Sequence, residues 1–120
     1  EAGAIVVPGS DYTIGSSPRP LEAIENYITR MKPSYSISNI PESKREPLGE
    51  GITLEQALRI VTINCAIGMA RDDTTGSIEQ GKSADFVILD KNLFDIIPTE
   101  ISGAKVIKTV FEGQVVYERK

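Results

Sequence analysis

The chain has 120 residues, 40% of them apolar and 25% charged, with a formal charge of −4 and no histidine. That is enough for one domain of ordinary size and composition, and the acidic balance with scattered basic residues excludes the basic stripe of a nucleic-acid-binding surface. Histidine is the usual base near neutral pH and the commonest metal ligand, so enzymatic chemistry here must rest on carboxylates or on groups borrowed from elsewhere.

Ala4 to Pro8 is a short apolar run rich in β-branched residues and bounded by Gly9-Ser10-Asp11. Such a run suits a fully buried strand of a parallel sheet. A polar loop, Asp11 to Arg19, leads to Pro20, which fits the first turn of a helix because its missing N–H costs nothing there. The helix places Leu21, Ile24, Ile28 and Met31 on one face, and Pro33 is expected to stop it. Ser34 to Gly51 carries many turn formers and no periodicity, the pattern of a long surface loop.

A second helix opens at Thr53, with Gln56 completing a capping box. Leu54, Ala57, Leu58, Val61 and Cys65 then share a face, and the pattern runs to about Ala70 with a break expected near Gly68. After a polar turn from Arg71 to Thr75 the character changes. Ala84 to Leu89 reads as a strand closed by Asp90, and Pro98 to Ser102 as one helical turn. Ala104 to Phe111 and Gln114 to Glu118 are β-rich runs joined by Glu112-Gly113, a good hairpin signal. The first half therefore resembles the closing unit of an α/β barrel, and the second half part of a β-sheet domain that does not close by itself.

No apolar run approaches the roughly 18 residues of a membrane span. Lys44 and Arg45, the densest basic pair, are flanked by Glu42 and Glu46, so no polybasic membrane patch is expected. The start, Glu1-Ala2-Gly3, has no basic n-region of a secretory signal. A single cysteine, Cys65, excludes an internal disulfide and fits a reducing compartment, so a cytoplasmic location is expected. Cys65 lies on a predicted helix with no histidine to activate it and reads as inert.

Three constellations invite a chemical reading. Gly76 to Ser83 matches the phosphate-loop pattern Gly-x-x-x-x-Gly-Lys-Ser. That loop needs a strand before it and a helix after it, and here the order is reversed, so a two-glycine turn feeding a strand is expected. Asp11 directly follows the first strand, where barrel enzymes place catalytic groups; an aspartate there binds metal or shuttles a proton, or else caps the loop through its own backbone. Asn64, within the second helical pattern, either shapes a site or bonds backbone at a helix break. Asp72, Asp73, Asp85, Asp90 and Asp95 read as turn or strand-end residues.

Taken together, the Gly9-Ser10-Asp11 step, PRPLEAI from Pro18, TLEQALRIVTINCAIGM from Thr53, GSIEQGKSADFVILD from Gly76 and VIKTVFEGQVVYE from Val106 resemble the C-terminus of the amidohydrolase superfamily. The Gly-Ser-Asp step and the Pro-Leu-Glu helix tilt the resemblance toward the family 3 amidohydrolases. The resemblance implies an α/β fragment of a (β/α)8 metallohydrolase barrel carrying a small composite β-sandwich. Residues 1–72 would be the final barrel strand, its loop and helices, and residues 73–120 the C-terminal sandwich strands.

The resemblance also implies a metal-dependent hydrolase acting on C–N bonds other than peptide bonds in a small amide-type substrate. Its metal, zinc by expectation, would be held by groups on earlier strands outside this chain. A metal-bound hydroxide would attack the carbonyl, with Asp11 as metal ligand and as the acid–base group that passes a proton to the leaving nitrogen. Lys82 and Asp85 match structural positions of the sandwich. The isolated chain would be inactive, would hold no metal of its own and would self-associate through exposed strand edges. The alternative is a non-catalytic binding or regulatory module derived from the same fold.

Overall fold

The computed structural model describes residues 3–9, 19–31, 47 and 49–120, and Asp11 and most of the 34–51 loop lie outside them. Helix α1 spans Pro20–Thr29 with Pro20 in its first turn. Glu22, also in that turn, meets Arg19 at 3.3 Å, a carboxylate where the helix dipole favours one. The helix ends before Pro33 is reached, because Arg30 turns into the left-handed region at φ 55° and its N–H closes onto the Asn26 carbonyl at 2.9 Å. Met31 consequently lies beyond the helix whose apolar face it was expected to extend.

Helix α2, Leu54–Val61, begins with the expected capping box. The Gln56 N–H donates to Thr53 Oγ1 at 3.2 Å, and the Thr53 N–H donates to Gln56 Oε1 at 2.9 Å. The break comes at Thr62 (φ −123°, ψ −98°), six positions before Gly68, and α3 follows as Ile63–Gly68. Two polar groups hold this corner: Thr62 Oγ1 donates to the Leu58 carbonyl at 2.7 Å, and Cys65 Sγ to the Ile60 carbonyl at 3.2 Å. Carbonyls that a continuous helix would use are thus satisfied by side chains instead.

Helix α1 lies against α2 and against a 3-10 helix at Pro98–Gly103, the turn expected there. Ile24, Ala57, Leu93, Ile101 and Ala104 form the buried cluster between them. Glu25 adds a polar tie across the same junction, its Oε2 accepting from the Ser102 N–H at 2.8 Å. The chain returns to α1 through Gly51, where any Cβ would overlap the Ile28 carbonyl oxygen.

Strands β1 (Phe86–Leu89), β2 (Val106–Phe111) and β3 (Gln114–Glu118) form one antiparallel sheet in the order β1-β2-β3. Glu112 and Gly113 both have positive φ, at 49° and 76°, the geometry of a two-residue primed turn whose twist suits a hairpin. Phe86, Val110 and Val115 stand opposite one another across the sheet, and so do Val87, Thr109 and Tyr117. Val110 is buried, whereas Phe86, Val87, Val115 and Tyr117 are exposed. Among the described residues the outer edges of β1 and β3 pair with no further strand.

The expectation for Ala4 to Pro8 needs correction. The run is paired with no strand among the described residues, and Ile5, Val6 and Val7 are 56%, 55% and 47% exposed. Apolar β-branched sequence supplies the preference for a buried strand, but burial requires neighbouring strands on both sides.

Candidate functional site

The Ala4 to Pro8 run is nonetheless held at two consecutive residues by α3. Asn64 Nδ2 donates to the Val6 carbonyl at 3.0 Å across 58 residues of sequence. Gly68, one turn further along, lies so close to Val7 that a Cβ would come within 2.9 Å of Val7 Cγ2. Of the two readings of Asn64, the structure displays the backbone bond, and the backbone it bonds is that of the run preceding Asp11. Gly68 ends α3, where a break was expected, and is also a close-approach position that its residue type alone does not reveal.

The other face of α3 meets the turn at Gly76. A Cβ on Gly76 would lie 2.6 Å from Ala66 Cβ and 3.1 Å from Ile63 Cα, and its φ of +89° independently favours glycine. The turn that follows ties up its own polar groups. Lys82 Nζ donates to Ser77 Oγ at 2.7 Å and approaches Glu79 Oε1 at 3.3 Å, while Ser77 Oγ donates to Glu79. The Ser77 hydroxyl and then Lys82 hold the Glu79 carboxyl below its ordinary range. This ammonium is paired within a turn that feeds strand β1, the reverse of the element order a phosphate loop uses.

Asp85 joins three segments. It accepts from Thr75 Oγ1 at 2.9 Å, from Ser83 Oγ at 2.9 Å and from the Glu112 N–H at 2.8 Å. The Glu112 N–H first, then the two hydroxyls, hold its carboxyl below the ordinary aspartate value of 3.8. The bond to Glu112 anchors the primed turn, and the Gly113 N–H adds a second tie to the Ala84 carbonyl at 3.1 Å. Asp85 is thus a strand-start residue fastening the hairpin, in keeping with its structural reading. Cys65 is half-buried and its thiol is engaged with the Ile60 carbonyl. Burial, with Cys65 beside it, pushes the Tyr27 phenol above its ordinary 10.0.

These residues do not fit a catalytic metal. The chain has no histidine, and the described residues contain no group of three or more histidine, cysteine, aspartate or glutamate side chains able to hold an ion. A catalytic zinc usually takes about three protein ligands. Among the described residues no helix is long and apolar enough to cross a membrane.

Helices followed by a small antiparallel sheet, with polar side chains tying the turns among the described residues, define an α/β scaffold. E. coli guanine deaminase shares that fold: the likeness has a TM-score of 0.67 at 20% identity and covers 98% of this chain and 28% of that one. The chain belongs to the amidohydrolase family, whose sequence profile it matches over residues 1–117. It is 32% identical over 119 residues to the N-substituted formamide deformylase of Arthrobacter pascens, covering 99% of this chain and 20% of that protein. It is 33% identical over 120 residues to the imidazolonepropionase of Treponema denticola, covering 99% of this chain and 25% of that protein. The chain therefore spans a fifth to a quarter of the length of these relatives.

Proposed function

We propose that the chain is the C-terminal portion of a metal-dependent amidohydrolase that cleaves a C–N bond, other than a peptide bond, in a small amide-type substrate. The observation that carries this reading is the family match, which runs through residues 1–117 while the relatives are four to five times longer. Residues 1–72 are then the last strand, loop and helices of a (β/α)8 barrel, and residues 73–120 the closing strands of a composite β-sandwich. The exposed apolar residues of the three-stranded sheet and its two open edges support this assignment, because both would be covered in a completed sandwich.

The metal, zinc by preference, would take most of its ligands from the rest of the protein. When bound, such an ion lowers the pKa of water and polarises a carbonyl. Asp11 is the group this chain contributes. From the C-terminal end of a barrel strand its carboxylate would hold a proton and deliver it to the leaving nitrogen. Alone, the chain is inactive and self-associates through its uncovered sheet.

Asp11→Asn in the full-length protein tests the reading, because the amide fills the same space but cannot act as a base. Turnover is expected to vanish while the fold and thermal midpoint stay unchanged. A variant with near-normal kcat would return Asp11 to capping its own loop. For the 120-residue chain, stoichiometric zinc retained after dialysis against a mild chelator would show that it completes a metal site unaided.

A further inference from the structure

We infer that Asn64 is a positioning residue for the reaction, setting with Gly68 the placement of the segment that leads into Asp11; the inference rests on the acid–base reading of Asp11. Residues four apart on a helix share a face. On that face of α3 one side chain donates a hydrogen bond and the other is missing. The donor reaches the Val6 carbonyl at 3.0 Å, which fixes the segment along its length and limits its rotation. The missing side chain admits Val7, since a Cβ at Gly68 would come within 2.9 Å of Val7 Cγ2. Valine is stiff at χ1, so Val7 does not swing away cheaply. Two successive residues are thus located by one helix, and Asp11 follows Val7 by four positions in the sequence.

Such a device works only if the helix itself is fixed. The break at Thr62 makes α3 an element separate from α2, and the Thr62 and Cys65 side chains hold that corner. On its other side Ala66 is 2% exposed and the Gly76 turn sits against it. The helix is therefore clamped between the Gly76 turn and the strand run. An orienting bond through a carboxamide also explains a polar residue here, since an apolar one would leave the Val6 carbonyl without this donor.

The test uses Asn64→Asp, which keeps the shape and loses the donor, and Asn64→Ala. In the isotope-labelled 120-residue chain, the Val6 carbonyl carbon resonance is expected to shift in both variants while that of Ile101 in the core stays put. In the full-length enzyme, kcat is expected to fall about 10- to 100-fold, in line with the rate cost of a reacting group misplaced by about 1 Å. KM and the thermal midpoint are expected to stay near their starting values. An unmoved Val6 resonance overturns the anchor. Normal kcat in both variants, with Asp11→Asn inactive, overturns the positioning role alone. Normal kcat in Asp11→Asn overturns the acid–base reading, and the positioning role with it. If kcat falls only in proportion to lost folded protein, Asn64 is merely structural.

Discussion

Gly76 and Gly81 allow a conformational cost to be separated from a packing cost. Both have φ in the region that L side chains rarely adopt, +89° and +95°, so Gly→Ala strains either backbone similarly. That strain is worth about 1–2 kcal/mol for an alanine in left-handed territory. The surroundings differ, however. A Cβ at Gly81 meets nothing within 4 Å, whereas at Gly76 it lies 2.6 Å from Ala66 Cβ and 3.1 Å from Ile63 Cα. Ala66 is buried and Ile63 presents backbone, so neither neighbour yields easily. Overpacking of this kind adds about 1–3 kcal/mol. Gly81→Ala should therefore cost about 1–2 kcal/mol and Gly76→Ala about 2–5 kcal/mol. At about 4 °C per kcal/mol for a chain of this size, the thermal midpoint should drop by about 4–8 °C and about 8–20 °C respectively. Melting followed by circular dichroism at one protein concentration measures both, with sedimentation confirming that the variants share an association state. Equal losses would show that the turn does not press on α3 and would remove one side of the clamp on that helix.

The Asp85 carboxyl has a lowered folded-state pKa, so its stabilising effect is present above its ordinary value of 3.8 and is lost as pH falls through the lower folded value. Acid denaturation should steepen below pH 3.8, and Asp85→Asn should flatten that limb; an unchanged acid profile would remove Asp85 as the fastener of the hairpin. Thr53→Ala removes the capping-box acceptor and should cost about 1 kcal/mol by urea denaturation, whereas a loss indistinguishable from zero would mean that the cap is idle in solution. Calorimetry with ATP and Lys82→Ala should show no saturable heat in either parent or variant, and binding lost on mutation would reinstate the phosphate-loop reading.

What the sequence disclosed was what depends on near neighbours. The Thr53–Gln56 box, Pro20 in the first turn of α1 and the Glu112-Gly113 turn are each encoded within four residues, and each appears where expected. The break at Thr62 was not legible, because the apolar series Leu54, Leu58, Val61 and Cys65 runs through it without losing step. The corner is made by side-chain bonds to the Leu58 and Ile60 carbonyls, which leave no mark on hydrophobic periodicity. The same periodicity omitted Ile60, which is buried on α2 with Ala57. Ala4 to Pro8 marks a different limit: exposure is a property of the neighbours, and a strand-like composition carries no information about whether those neighbours are there. Of the proposed site the sequence offered Asp11, which lies outside the described residues, and Asn64, whose bonded carbonyl lies 58 residues away.

That separation has a consequence for synthesis. Val6 leaves the ribosome 58 residues ahead of the side chain that holds it. At roughly 5–20 residues per second, it waits about 3–12 s for its partner to be made. The β2–β3 hairpin, by contrast, needs only a two-residue turn and closes within about 1–10 μs of its strands being available. Nascent chains should therefore lack the Asn64 bond on Val6 until α3 emerges, and that tie would form only late in synthesis, shortly before translation reaches the sheet.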